Sequence, residues 1–201
     1  QLGSDKWYKI KQRAKRKIDD IAVELLRVQA KRELSNGYKF SLDNLAYDKF
    51  CSSFPYVETD DQLNTINDVI SDMCSIKSMD RVVCGDVGFG KTEVILRASF
   101  IAANNDKQVV IIVPTTVLAK QHFETFKRRF AKYSHNISIV TRATSRPERL
   151  SIINKLYNNQ IHILIGTHAL LNKDFKCADL GLLIIDEEHK FGVKHKESIK
   201  Q

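Results

Sequence analysis

Cys84-Gly85-Asp86-Val87-Gly88-Phe89-Gly90-Lys91-Thr92 brings together the residue types that hold a triphosphate. From Gly85 to Thr92 the chain fits G-x-x-x-x-G-K-[ST] at every fixed position. Gly88 and Gly90 let the backbone turn through conformations closed to residues with a Cβ, so that successive N–H groups point inward at phosphate oxygens. The helix expected next, opening with Glu93 to Ala98, adds its free N–H groups and the positive end of its dipole. Lys91 has the reach for the β- and γ-phosphates, and the Thr92 hydroxyl suits Mg²⁺. A chance glycine turn is the alternative. The run Arg81-Val82-Val83-Cys84, read as a strand entering the loop, and the helix leaving it favour the phosphate loop.

A second constellation lies near the other end of the sequence. Leu182-Leu183-Ile184-Ile185 reads as a buried strand that delivers Asp186 and Glu187, followed by Glu188 and His189, at its carboxyl end. Ligands of open α/β sheets bind there. Asp186 suits a Mg²⁺ shared with Thr92, and Glu187 suits the water that attacks a phosphate. An acidic run after a strand is often only a solvated loop. It gains its meaning from the phosphate loop that precedes it on an alternating pattern of strands and helices.

That pattern positions both sites. Gln108 to Val113, Ile137 to Val140, Ile161 to Ile165 and Gly181 to Ile185 read as strands. Thr116 to Lys132 and Pro147 to Asn158 read as helices, the first with Val117, Leu118, His122, Phe123, Phe126 and Phe130 on its inner side. Near-continuously apolar strands alternating with helices predict an α/β fold, a mainly parallel sheet covered on both faces. Ahead of the loop, residues 41–52 form a short expected helix. Thr59 or Asp60 caps another, on which Leu63, Ile66, Ile70 and Met73 share a face.

From Lys6 to Leu34 there is no Pro or Gly, and Trp7, Ile10, Ala14, Ile18, Ile21, Leu25 and Val28 form one apolar stripe of a long helix. Gly37 is available for a left-handed cap at its end. Residues 1–40 hold 11 Lys/Arg against 5 Asp/Glu, and residues 41–201 hold 21 against 19. Most of the net charge of +8 therefore belongs to this arm. It is either a solvated helix face or a surface for nucleic acid or another subunit. We divide the chain into a basic amphipathic linker helix, 1–37, and an ATP-binding lobe, 41–201. Cys51, Cys74, Cys84 and Cys177 show no metal spacing, which predicts reduced thiols in a cytoplasmic protein and no zinc. No apolar run approaches the roughly 18 residues of a membrane span, so no membrane is expected.

On these motifs the chain resembles the first RecA-like lobe of superfamily 2 nucleic-acid motors, with Asp186 to His189 as the DEEH form of the helicase box. Phe54-Pro55-Tyr56 with Gln62, Cys84 to Glu93, Val113-Pro114-Thr115-Thr116, Ile165-Gly166-Thr167-His168, and Asp186 to Val193 followed by His195-Lys196-Glu197 together resemble bacterial transcription-repair coupling factors. RecG-type helicases share some of these elements, usually have Gln where Glu188 stands, and lack the Phe-Pro-Tyr element. The resemblance implies ATP and Mg²⁺ as cofactors, with Phe54 and Gln62 recognising adenine and Gly85, Asp86, Val87, Gly88, Phe89, Gly90, Lys91 and Thr92 cradling phosphate. It implies double-stranded DNA as partner, touched by Thr115, Thr116, Thr167 and Arg142, and a role for His189 in coupling the two sites. RNA polymerase and excision-repair proteins would be met through other domains of the full-length protein. The family's second RecA-like lobe, with its arginine finger, is not among these 201 residues, so the lobe by itself is expected to bind ATP with little turnover. A RecG-like branched-DNA helicase lobe and a non-catalytic phosphate-loop scaffold are the alternatives. The family commonly has Pro in place of Asp60, an aromatic residue near Arg142, and Arg in place of Lys190 and Lys194.

Overall fold

The computed structural model describes residues 37–86, 88–172 and 174–187. The expected linker helix, and Glu188 and His189 of the acidic motif, lie outside the described residues, as does Val87. Among the described residues, two helices precede the phosphate loop, α1 (Asn44–Cys51) and α2 (Asp60–Met73). After it helix and strand alternate: α3 (Lys91–Asn104), β1 (Gln108–Ile112), α4 (Thr116–Arg129), β2 (Ile137–Val140) and α5 (Arg146–Tyr157). The last described elements are β3 (Ile163–Gly166), a 3₁₀ turn (His168–Leu171) and β4 (Leu180–Ile185).

The four strands form one parallel sheet in the order β2-β3-β1-β4. Alternation along β1 splits the core in two. Val109 and Ile111 face a large cluster built with α1 to α4, including Phe50, Phe100, Phe126 and Phe130. Val110 and Ile112 face a smaller one with Ile152 and Leu156 of α5. Helices thus cover both faces, as near-continuous apolar strands require. The buried Gln108 is fully engaged: its Nε2 donates to the Leu156 and Ile161 carbonyls at 2.8 and 2.9 Å, and its Oε1 accepts from the Asp179 amide at 3.0 Å.

Helix starts follow local chemistry. Thr59 and Gln62 make a capping box on α2, Thr115 caps α4, and Ser145 caps α5 with Pro147 in its first turn. Four expectations are corrected. Arg81 to Cys84 form no strand: among the described residues no neighbouring strand offers a ladder, and Val82 is exposed. Arg81 instead pins this segment to α2 through Asp72 and Asp68, at 2.6 and 3.0 Å. Val117 lies on the outer side of α4 and Leu63 is exposed on α2, because each stripe is narrower than its apolar residues suggest. Gly37 does not take a left-handed φ; an added Cβ would meet the Ser78 backbone at 2.8 Å, so close approach is what it permits. The four cysteines are free, and among the described residues no helix is long and apolar enough to cross a membrane.

The aromatic cluster ties α1, α3 and α4 together: Phe50 stacks on Phe100 at 4.3 Å and Phe126 on Phe130 at 5.6 Å between centroids. Phe100→Ala is expected to cost about 3–5 kcal/mol and to lower the melting temperature by roughly 10 °C. Truncating the exposed Leu45 should change stability by less than about 0.5 kcal/mol. Thermal unfolding of both variants checks the assignment of the core.

Candidate nucleotide site and sheet edge

The register places Val140, Gly166, Ile112 and Ile185 side by side at the carboxyl ends of the four strands. The residues after each end therefore line one edge: Arg142 after β2, Thr167 after β3, Thr115 and Thr116 after β1, and Asp186 after β4. At about 4.8 Å per strand, the span from the β2 end to the β4 end is roughly 14 Å. Asp186 keeps its place because its amide donates to the Ile112 carbonyl at 2.9 Å, one step beyond the ladder. Glu187 follows with φ 54°, a left-handed turn that swings the chain out of the strand direction.

The phosphate loop turns at Gly88 and Gly90, with φ of 92° and 72°. Gly90 is the N-cap of α3, and no side chain caps that helix, so its first N–H groups face the loop. An added Cβ at Gly90 would collide with the Gln62 amide, which makes Gly doubly necessary there. Lys91 curls back over the loop. Its Nζ donates to the carbonyls of Gly85 and Asp86, the second at 3.0 Å. Thr92 is half-buried in the first turn of α3. Lys91 also lies near enough for its charge to act on Asp186.

Asp186 is the anchor of the acidic end. His122 Nε2 sits 3.0 Å from its Oδ2, and this hydrogen bond holds the Asp186 carboxyl below its ordinary range against the opposing effect of burial. The His122 ring is buried, and its Nδ1 has no partner. The apolar pattern puts His122 on the inner side of α4, and the bond to Asp186 is visible only in the fold. Among the described residues no group of three or more His, Cys, Asp or Glu could hold a metal by itself. Asp186 with Thr92 is an oxygen donor set of the kind Mg²⁺ takes when phosphate oxygens and water complete its shell.

Gln62 lies against the loop, but its side chain is already occupied. Its Nε2 donates to the Phe89 carbonyl at 2.6 Å, and its Oε1 accepts from the Thr59 amide at 3.0 Å. Phe54 is half-buried between the guanidinium groups of Arg97 and Arg129, 5.9 and 5.7 Å from its ring centre. These arginines share Glu93, and only the Glu93/Arg97 spacing of four was visible beforehand. Of the residues expected at DNA, Thr115 is exposed and its Oγ1 accepts from the Leu118 amide at 3.2 Å. Thr116 is half-buried beside it. Arg142 is exposed, with its Nη2 3.0 Å from His168 Nε2. Thr167 departs from expectation. It is buried, its hydroxyl has no partner, and its amide donates to the Val140 carbonyl at 3.3 Å, so neither donor faces outward.

A parallel sheet with a phosphate loop ahead of it and an acidic strand end at its carboxyl edge has the architecture of a RecA-like helicase lobe. The chain matches the DEAD/DEAH box helicase family over residues 59–201 and belongs to that family. Along its full length it is similar to the transcription-repair-coupling factors of Haemophilus influenzae (53% identical over 201 residues), Escherichia coli K12 (51% over 200) and Bacillus subtilis 168 (50% over 201). It spans 18%, 17% and 17% of their respective lengths. A solved structure of RecG bound to a three-way DNA junction superimposes with a TM-score of 0.76 at 34% identity, over 83% of this chain and 23% of that one.

The depressed carboxyl of Asp186 sets a pH dependence. Its ionised form contributes stability that is fully present above the ordinary Asp value of about 4 and is lost as pH falls through the lower folded value. Asp186→Asn removes that contribution. The wild type should melt about 5 °C above the variant at pH 7, from a charged hydrogen bond of about 1.5–3 kcal/mol. The gap should close below about pH 4; melting curves from pH 7 to pH 3 check this.

Proposed function

We propose that this chain is the ATP-binding lobe of a DNA-dependent ATPase, the motor of a transcription-repair coupling factor that moves along double-stranded DNA. The observation that carries the reading is Lys91 folded over the carbonyls of a loop that turns at Gly88 and Gly90 and opens a helix no side chain caps. Loop amides at 85–90 and the first turn of α3 would bind the phosphates, with Lys91 turning from its two carbonyls to the β- and γ-oxygens. Thr92 and Asp186 would hold Mg²⁺, which when bound neutralises charge developing on the phosphates. Glu187 would orient the attacking water and accept its proton. Phe54 would pack against adenine, and Gln62 would exchange its bonds to Phe89 and Thr59 for two to the base.

DNA binding is supported by the RecG structure, whose title names a DNA junction, and by the edge that carries Thr115, Thr116 and Arg142. Hydroxyl and amide donors there suit phosphates, which position a duplex without reading its sequence. Displacement of a stalled RNA polymerase and recruitment of excision repair belong to the longer protein, through domains beyond this lobe, as the names of the relatives suggest. The higher identity to the coupling factors favours this reading over a RecG-like branched-DNA helicase. By itself the lobe should bind Mg-ATP with little turnover, since in related NTPases a finger arginine supplies about 10³–10⁵ of the rate.

Mg-ATP binding and turnover, with and without duplex DNA, test the reading in the wild type, Lys91→Ala and Glu187→Gln. Lys91→Ala should weaken binding by at least tenfold. Glu187→Gln should bind normally, and turnover should be near zero in all three. Binding indifferent to Lys91, or no binding in the wild type, would contradict the nucleotide site and return the scaffold alternative. Robust wild-type turnover abolished by Glu187→Gln would overturn the division of labour between two lobes.

A further inference from the structure

A buried charge cluster lies beneath Phe54, and no step of the proposed hydrolysis uses it. Glu93, in the first turn of α3 and two residues after Lys91, has a side chain only 4% exposed. Its Oε1 accepts from Arg97 Nε at 2.9 Å and from Arg129 Nη2 at 2.7 Å. The two guanidinium groups then reach outward to the chain that bears Phe54. Arg129 Nη1 donates to the Ser53 hydroxyl at 2.7 Å, and Arg97 Nη2 donates to the Glu58 carboxylate. Ser53 and Glu58 bracket the segment, whose own backbone holds it weakly: Phe54 N bonds Cys51 O at 2.9 Å, and Tyr56 and Val57 stand exposed. Arg129 also lies over the Phe50 ring at 4.6 Å, which fixes its plane against the aromatic core.

Two charges of each sign balance in this cluster, but ion pairs buried to this depth contribute little net stability relative to apolar packing. What they do supply is geometry. The fork of Arg129 accepts only one placement of Ser53 relative to Glu93, and Glu93 is fixed relative to Lys91 by the helix turn. The aromatic segment and the phosphate loop are 37 residues apart, from Phe54 to Lys91, and two arginines tie the segment to α3: Arg97 of α3 itself through Glu58, and Arg129, from a different helix, through Ser53 and Glu93.

We propose that Arg129 is the positioning residue of the base-recognition element: by bridging Glu93 to Ser53 and flanking the Phe54 ring, it sets Phe54 at the distance from the phosphate loop that makes the site prefer a base-bearing triphosphate over triphosphate alone. This rests on the reading of the loop as an ATP site and of Phe54 as its base contact. Arg129 touches no phosphate in this scheme. Its effect should appear only with ligands that carry a base.

Titration calorimetry with Mg-ATP and with Mg-tripolyphosphate tests it on the wild type, Arg129→Gln, Arg129→Lys, Ser53→Ala and Phe54→Ala. Arg129→Gln should weaken ATP about tenfold and leave tripolyphosphate within twofold. Arg129→Lys should fall between, since an ammonium keeps the charge beside Glu93 but cannot span to Ser53. Combining Phe54→Ala with Arg129→Gln should weaken ATP no more than Phe54→Ala does. Parallel loss of both ligands, or ATP affinity unchanged in Arg129→Gln, overturns the proposal. Where Arg129→Gln fails to fold, Ser53→Ala decides: it removes the bridged hydroxyl together with its bond to the Phe50 carbonyl at 2.6 Å, and a severalfold loss confined to ATP supports the bridge, whereas no loss overturns it. A wild type that binds tripolyphosphate as tightly as ATP would instead overturn the base contact on which the proposal stands.

Discussion

Everything in this lobe depends on four parallel strands ending in register. Because Val140, Gly166, Ile112 and Ile185 are ladder neighbours, whatever follows each of them must emerge on the same edge. Main-chain hydrogen bonding thereby gathers residues from 115 to 186, widely spaced in the sequence, along roughly 14 Å. Shifting one strand by a residue would turn its buried side chains to the opposite face and unseat its terminal residue with them. The two apolar clusters, one on each face, are what forbid that slip. Core packing and site geometry are therefore one constraint, and the helices that cover the sheet hold the edge together.

At the end that carries the phosphate loop, several polar side chains are already bonded to the protein itself. Lys91 bonds two loop carbonyls, Gln62 bonds a third carbonyl and its own helix cap, and Asp186 bonds His122. In the proposed nucleotide complex the bonds of Lys91 and Gln62 would be replaced by bonds to the ligand, so binding exchanges partners and does not fill a gap. The cost of that exchange falls on side chains with long flexible stems, Lys91 and Gln62. The backbone, already turned at Gly88 and Gly90, can stay in place. His122 belongs to the same helix that begins at Thr115 on the edge, which gives the acidic end and the outer edge a shared rigid support.

Much of this was legible because backbone chemistry and apolar patterning are local. The strands at Gln108, Ile137 and Gly181 and the cap at Thr59 follow from residues within a few positions of one another, and each lies within a residue or two of where the pattern puts it. The loop motif likewise carries its own geometry. The run at Arg81 to Cys84 was misread because a strand needs a partner, and apolar residues cannot say whether one is there. Val117 and Leu63 are apolar yet lie outside their stripes, which composition cannot show. Gly37 was correctly seen as special for the wrong reason: the backbone of Ser78, far off in sequence, presses on it. The Arg129 bridge was invisible, since its partners Glu93 and Ser53 are 36 and 76 positions away. Thr167 could be named from a motif, but only the fold shows its hydroxyl turned inward.

The central claim is that the loop at 85–92 is a phosphate cradle held ready by its own backbone. Hydrogen–deuterium exchange, followed by mass spectrometry with and without saturating Mg-ATP, tests it most directly. The account predicts slower exchange at the amides of 85–92, with the sheet interior and α5 unchanged. Exchange in that stretch that ignores Mg-ATP, or slowing confined to another part of the chain, would contradict it.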